Sequence, residues 1–547
     1  MRKIQIFFNK PFIYILIIII GIGLKFYRLD QQFFWDDEIA TILHTTGISM
    51  AEYEQNIPVN VPLNKSYYDD LLKINNKDYS IFKQIIGLSK MPQLTPGHYY
   101  YLIFWTRIFG DGFMSYRYFS VLMFILALPV LFLLTRKIFK SDIAGWIAVS
   151  LYAVSPFFQV FAQESRYYIL WSLGLLALHY VFLMALDKNN RFWWFLYIVA
   201  GFLVVHISIM TYIMLLSHFV YFMIFHRDKW KPLFLSLFMI FLSSLPWLIY
   251  IYINRHDIRN ALEWQKIEGI FDLNIIQLLK SHFIGIQEVF INVYHSVSSQ
   301  FIKILSRWVP GVLIIFSIIL IFRKGSKRQI WFLSLISFTG LLSFIIIDLL
   351  RGSFTSHIIR YHLLYYAGFI LMISFTFKFL LEKIPALYVF VFLLFISAGT
   401  ISSKYVADYP CTWKRADCEY HLEDAADLFA GQEKILIISD YQLIGPNSYT
   451  MFMSLMAIAK NKNIDIIYAK PDYPDFRNDI DIQQYDKVYA MYLSDVLRNY
   501  LKELFNEDEM IMIKDRTLYG NFYLPVYSII FSPEQDKTVD NHHKENV

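Results

Sequence analysis

Long apolar runs separated by short polar loops fill the chain from residue 11 to about 402, and beyond that point the runs shorten to strand length. The first run, 11–24, is almost entirely Ile, Leu, Phe and Tyr, and others occur near 118–135, 143–161, 167–186, 192–225, 232–252, 309–322, 330–349, 358–377 and 385–402. About 20 apolar residues in a helix cross roughly 30 Å of hydrocarbon, so these runs predict membrane spans. The stretch 192–225 holds 34 apolar-rich positions between two basic loops, which predicts a tight pair of helices turning near 206–208. The piece 98–109 contains Arg107 and is too short to cross, so it reads as an amphipathic helix lying on the surface.

From residue 403 the pattern changes. The runs 435–438, 464–469 and 488–493 have strand length, with helix-like pieces at 449–460 and 495–505 between them. The expected fold is an all-α polytopic membrane protein of about 11 to 13 transmembrane helices, with juxtamembrane helices in the first external loop and a small C-terminal α/β soluble domain. The expected boundaries are a core of 1–402, with external loops at 29–117 and 253–305, and an extracytoplasmic domain of 403–547 ending in a disordered polar tail. Cys411 and Cys418 at its entrance either pair in an oxidising compartment or remain two unrelated thiols.

Charge orients the chain. Lys and Arg collect in the loops 136–140, 187–191, 227–231, 323–328 and 378–383, which the positive-inside rule places in the cytoplasm. Arg2, Lys3 and Lys10 join them, so the first run reads as an uncleaved signal anchor that carries the chain out at about residue 28. The composition agrees with a membrane protein: 547 residues, 56% hydrophobic, 18% aromatic and 17% charged, with a mean hydropathy of +0.41. The net charge of +5 is sorted into loops and points to no nucleic acid. No Gly-rich phosphate loop and no zinc-spaced Cys/His set occurs, which argues against a soluble nucleotide-driven motor.

With that topology, the remaining ionisable residues gather at the outer face: Asp36, Asp37 and Glu38, then Glu164 with Arg166, His206, Arg351, and the stretch from His357 to His362 with Arg360 and Tyr361. Polar groups at membrane depth are costly and mark functional sites. Each also has a plain structural reading. The three acids suit the first turn of a helix, Glu164 and Arg166 suit an ion pair, and Arg351 and Arg360 suit lipid head groups. Taken together they predict one cavity, with a carboxylate base on one side and phosphate-binding arginines on the other.

The motifs at these positions resemble the polyprenyl-phosphate-sugar glycosyltransferases of the C superfamily, the group that contains protein O-mannosyltransferases and the lipid A aminoarabinose transferase. Trp35-Asp36-Asp37-Glu38 is similar to a Trp-x-Asp-Glu signature, and Thr95-Pro96-Gly97-His98-Tyr99 to a His-Pro-Pro-Leu-Tyr-Tyr segment. Arg117-Tyr118-Phe119-Ser120 is similar to Arg-Leu-Pro-Ser, Gln163-Glu164-Ser165-Arg166-Tyr167 to Gln-Glu-Ala-Arg-x-Tyr, and Arg360-Tyr361 to an Arg-Tyr-Leu-Leu element. One proline of the pair is absent, and the family's histidine falls at Leu94. The resemblance implies an inverting transferase with Asp37 and Glu38 as catalytic residues. Asp36, His98, Glu164, Arg166, His206, Arg351, Arg360 and Tyr361 are the candidate substrate-binding residues.

The implied partners are a polyprenyl-phosphate-linked sugar, a lipid, glycan or protein acceptor, and membrane lipids. The implied setting is the inner membrane with a periplasmic active site. No cofactor is expected to be required, and a role for a divalent cation at the Asp-Glu pair stays open. Two rival readings use similar features: a lipid-carrier flippase, which would place its site near the midplane between repeats, and an O-antigen ligase or polymerase acting on pyrophosphate-linked donors.

Overall fold

The computed structural model describes residues 2–73, 81–89, 91, 95–227, 230–265, 274–293, 299–408, 431, 433–441, 446–458, 463–470, 481–491, 493–505, 510–514 and 526–529. Leu94, Cys411, Cys418 and the C-terminal tail lie outside them. The chain divides into two compact units, Met1–Gln32 with Ile85–Tyr409 and Phe33–Gln84 with Pro410–Val547.

The first unit is helical. Among the described residues, seven helices are long and apolar enough to cross a membrane: Phe113–Phe139, Tyr168–Lys188, Trp230–Ile253, Gln300–Lys324, Lys327–Arg351, Ile359–Lys383 and Pro385–Asp408. The run expected as a span at 143–161 is two helices, Asp142–Ala153 and Pro156–Ala162, bent by 63°. Counting it as one span gives eight. Phe12–Phe26, Arg191–Ile207 and Thr211–Phe225 are apolar but shorter, about 22 to 26 Å at 1.5 Å per residue. Among the described residues, length and composition therefore support seven or eight full spans, with these three shorter apolar helices beside them. The pair expected in 192–225 is present, and Gly97–Phe109 is the expected short helix.

The bend is made at Val154-Ser155, where Pro156 cannot continue a helical ladder and opens the next helix instead. A break inside an apolar bundle exposes backbone groups that water cannot reach, so side chains must meet them. Ser155 Oγ accepts from the Phe158 N–H and donates to Val289 O, Ser403 Oγ donates to Val154 O at 2.8 Å, and Ser120 Oγ donates to Glu164 O at 2.6 Å. Gln163 Nε2 donates to Tyr27 O at 2.9 Å and Lys25 O at 3.2 Å, while its Oε1 accepts from Gln32 Nε2 at 3.0 Å. One turn earlier Gln159 accepts from Lys25 Nζ at 2.7 Å and donates to Leu24 O at 2.8 Å. Arg117, buried in the first turns of Phe113–Phe139, donates to Leu29 O and Gln32 O at 2.9 and 2.8 Å. These bonds fasten the end of the first helix to the bent segment.

The second unit is built on a six-stranded sheet. Its strands are β1 (Leu63–Asn64), β2 (Ile435–Asp440), β3 (Ile464–Ala469), β4 (Lys487–Ala490), β5 (Met510–Lys514) and β6 (Val526–Ile529), in the order β1-β3-β2-β4-β6-β5. The expected strands and helices fall here, with β2 parallel to both β3 and β4 and Asp495–Phe505 as a helix. Leu436, Ile438, Ile467, Val488, Leu497 and Leu501 form its core. β1 comes from the stretch expected to be a loop of the membrane core, yet it pairs antiparallel with β3, Leu63 opposite Ile466. Lys65 Nζ donating to Met456 O at 2.6 Å and the Tyr68 and Tyr468 hydroxyls at 3.0 Å extend that attachment.

Replacing Gln163 by Leu strands the buried Lys25 carbonyl, the part-buried Tyr27 carbonyl and the Gln32 amide. It is expected to lower stability by about 1–3 kcal/mol for each stranded group, read as a lower thermal unfolding midpoint of the purified protein. An unchanged midpoint would mean these bonds are dispensable.

Candidate active site

Four elements of the first unit bring polar side chains together at one end of the bundle. The first is the start of Gly97–Phe109. Thr95 Oγ1 donates to Ile207 O at 2.6 Å, and a Cβ on Gly97 would lie 2.5 Å from His206 O, so only glycine lets this backbone lie against the end of Arg191–Ile207. The next residue, His98, is thereby buried, with ring centroids 5.7 Å from Tyr99, 6.1 Å from Phe119 and 6.4 Å from Tyr167. Burial and the Arg166 charge hold its imidazole down at about 3. The Ser165 backbone is near enough to favour the charged form, but neither ring nitrogen closes a hydrogen bond of normal geometry with a described residue.

The second element is the turn 163–167 at the end of the bent helix. Glu164 and Arg166 are both buried, and the Arg166 guanidinium carbon stands 5.8 Å from the Tyr167 ring and 5.9 Å from that of Tyr168. The third is the 3₁₀ turn Ile359–His362, which carries the half-buried Arg360 with its guanidinium carbon 5.7 Å from the Tyr361 ring. The Tyr361 hydroxyl accepts from Gln265 Nε2 at 3.3 Å. Arg166 and Arg360 both act on the Tyr167 hydroxyl, which burial pushes well above its ordinary range and the two cations pull back down. The structure thus gathers His98, Glu164, Arg166, Tyr167, Arg360 and Tyr361.

The fourth element is a support that no sequence motif marks. Asp348, buried near the end of Lys327–Arg351, accepts from Ser353 Oγ and the Thr355 N–H at 2.7 Å and from the Ser356 N–H at 2.6 Å. It folds the chain 353–357 back on itself just before Arg360. His362 continues the support, its Nε2 on Ser356 O at 3.0 Å and its Nδ1 on the Tyr366 hydroxyl at 3.2 Å. The His282 ring lies 4.5 Å from that of His362, and its Nδ1 meets the Tyr365 hydroxyl at 2.7 Å.

Two expected members are placed otherwise. The His206 side chain turns back to Phe202 O of its own helix at 2.8 Å, so its contribution near the cluster is the backbone that seats Gly97. Arg351 is exposed on the last turn of Lys327–Arg351, where a cation suits the carbonyl end of a helix.

Asp36, Asp37 and Glu38 belong to the second unit and form the first turn of Asp36–Thr45. Glu38 is buried and caps that helix, accepting from the Trp35 N–H at 3.4 Å. Asp36 accepts from Thr450 Oγ1 at 2.8 Å. Asp37 is half-buried. Among the described residues no three His, Cys, Asp or Glu side chains are grouped to hold a metal ion.

The first unit has the fold of a polytopic membrane protein, with seven or eight candidate spans among the described residues. Residues 92–250 match the family model described as dolichyl-phosphate-mannose-protein mannosyltransferase. The structure is similar to that of ArnT from Cupriavidus metallidurans bound to undecaprenyl phosphate, with a TM-score of 0.50 at 12% identity over 95% of this chain and 98% of that one. The apo form of the same protein gives 0.50 at 11% identity over 94% and 97%. The Archaeoglobus fulgidus oligosaccharyltransferase in its apo form matches at 0.45 and 12% identity, over 87% of this chain and 69% of that one. No curated protein matches the chain in sequence. The expected resemblance is borne out over residues 92–250, and the similarity in fold agrees with it.

Replacing Asp348 by Asn keeps the shape but sets an amide N–H₂ against backbone donors. It is expected to lower hydrogen-exchange protection at Thr355 and Ser356 by about 1–3 kcal/mol, and unchanged protection would deny it the positioning role. His98 is neutral in the folded protein down to about pH 3, whereas an unfolded histidine takes up a proton below about 6.5. Stability supplied by the neutral ring is present above pH 6.5 and is lost as pH falls toward 3. His282, held down to about 4 mainly by burial, acts with the same sign. Thermal midpoints measured from pH 7 to 4.5 should therefore fall less in His98→Gln than in the wild type, and parallel profiles would contradict the assignment.

Proposed function

We propose that the chain is an integral membrane glycosyltransferase that moves a hexosyl or pentosyl group, with inversion, from a polyprenyl-phosphate carrier to a hydroxyl of a cell-envelope lipid, glycan or protein. The observation that carries this reading is the pair of guanidinium groups, Arg166 and Arg360, held around Tyr167 at one end of a glycosyltransferase-C-type fold. Guanidinium forks match phosphate oxygens two at a time. As the bond from the anomeric carbon to the phosphate oxygen breaks, its electron pair stays on that oxygen, and preset cations favour this charge more in the transition state than before it. The acceptor hydroxyl forms the new bond and gives its proton to the Asp37 carboxylate, the neighbouring Glu38 being engaged as a helix cap.

The basic loops support an active site and a C-terminal domain on the periplasmic side of the inner membrane. The chemistry as written needs no cofactor, and a divalent cation at the acidic pair would assist the acceptor rather than replace the base.

The reading is tested with purified protein and radiolabelled polyprenyl-phosphate sugars offered with lipid, glycan and peptide acceptors. Asp37→Asn should lower transfer about 100- to 10,000-fold. Arg166→Ala and Arg360→Ala should each lower turnover about 100- to 1,000-fold and weaken donor binding, with Lys restoring only part of it. Wild-type transfer in both arginine variants would move the phosphate site elsewhere.

A further inference from the structure

At the opposite end of the same helices lies a second charged site, one full helix of 21 residues, about 32 Å, from Arg166. The last turns of Phe113–Phe139 and Tyr168–Lys188 meet the first turn of Lys327–Arg351 there, and Gln329 Nε2 donates to Ile138 O at 2.9 Å to hold the junction. The junction encloses a cleft of about 270 Å³. Lys137, Lys140 and Arg328 line it, with His226 beside them and Asp187 as the lone carboxylate of the lining. Asp187 is taken up by an ion pair with Lys137, which leaves the cleft with a net positive charge. Its other wall is apolar, made by Leu183, Leu186 and Phe332, and the buried Tyr221 sits near enough to Arg328 and Asp187 to be influenced by both charges.

We propose that this cleft binds the phosphate head group of an anionic membrane lipid. Three features point to that occupant. The cleft lies where several apolar helices end, which is the level of the head groups. Its volume is near the lower end of ligand pockets, roughly 300–1,000 Å³, and suits a head group. It joins cations to an apolar wall, as a phosphate attached to acyl chains requires, and basic pockets between membrane helices recognise anionic lipids through this combination. The site stands apart from the transfer chemistry and does not depend on it.

The test uses the purified full chain in a neutral detergent, titrated with dihexanoyl phosphatidylglycerol, dihexanoyl phosphatidylcholine or inorganic phosphate, and reads the thermal unfolding midpoint. Phosphatidylglycerol should raise the midpoint saturably, and the other two should not. Each cation contributes about fivefold, so the Lys140→Gln, Arg328→Gln double variant should need about 25-fold more lipid for the same shift, and more again as salt rises. Arg136→Gln, whose side chain pairs with Asp142 at 2.8 Å and does not line the cleft, should respond as the wild type does. The single variant Lys140→Gln, at an exposed side chain, supplies the same comparison if the double variant fails to fold. Equal shifts with phosphatidylcholine, equal shifts with phosphate alone, or a cleft variant that responds like the wild type would each overturn the lipid assignment.

Discussion

A backbone broken inside an apolar bundle must have its carbonyls and amides met by protein, because no water reaches them and each unmet group costs on the order of kilocalories. The break at Val154-Ser155 is where this chain faces that constraint; Ser155 and Ser403 answer it at the break, Ser120 meets Glu164 O just beyond, and Gln159 and Gln163 meet the carbonyls of Leu24 and Tyr27. The turn just beyond the bent helix, Glu164 to Tyr167, is therefore held in place from several sides. Arg166 owes its burial to that turn, and His98 owes its low basicity to its own burial and to Arg166.

The same logic supports the other guanidinium. Arg360 sits on a short 3₁₀ turn that would have little rigidity alone, but Asp348 gathers three donors from the chain just before it and His362 ties the residues after it to Ser356. A carboxylate that accepts several bonds in a dry setting stiffens what it holds, since losing any one leaves a buried donor unmet. Two arginines near one tyrosine are thus each positioned by a separate buried polar network. Such preset geometry is what a phosphate-binding role would need.

Most of the helical plan was legible because its cause is simple: apolar runs end at basic loops. The strands of the second unit were legible for a similar reason, as 435–440 and 464–469 are short, β-branched runs flanked by polar residues. The bend at 154–155 was hidden, since the run 143–161 stays apolar throughout and hydropathy records burial, not direction. β1 was hidden because two residues, Leu63 and Asn64, carry no period, so the attachment of 33–84 to the sheet left no pattern to find. Of the candidate site, Arg166 and Arg360 were readable through their motifs. Asp348 was not, because a lone acid near the end of an apolar run looks like the end of a span. Arg117 stands in a recognisable motif, yet its grip on Leu29 and Gln32 depends on a contact across 85 or more residues that no local pattern encodes.

The central claim is that Arg166 and Arg360 hold the phosphate of a polyprenyl carrier, and photolabelling tests it most directly. A polyprenyl phosphate bearing a diazirine on its first isoprene unit would be irradiated with the purified protein and the labelled peptides mapped. Labelling within 95–101, 160–168 and 357–366, suppressed by unlabelled polyprenyl phosphate but not by the free polyprenol, is the expected result. Labelling confined to other helices, or suppressed equally by the polyprenol, would contradict the claim.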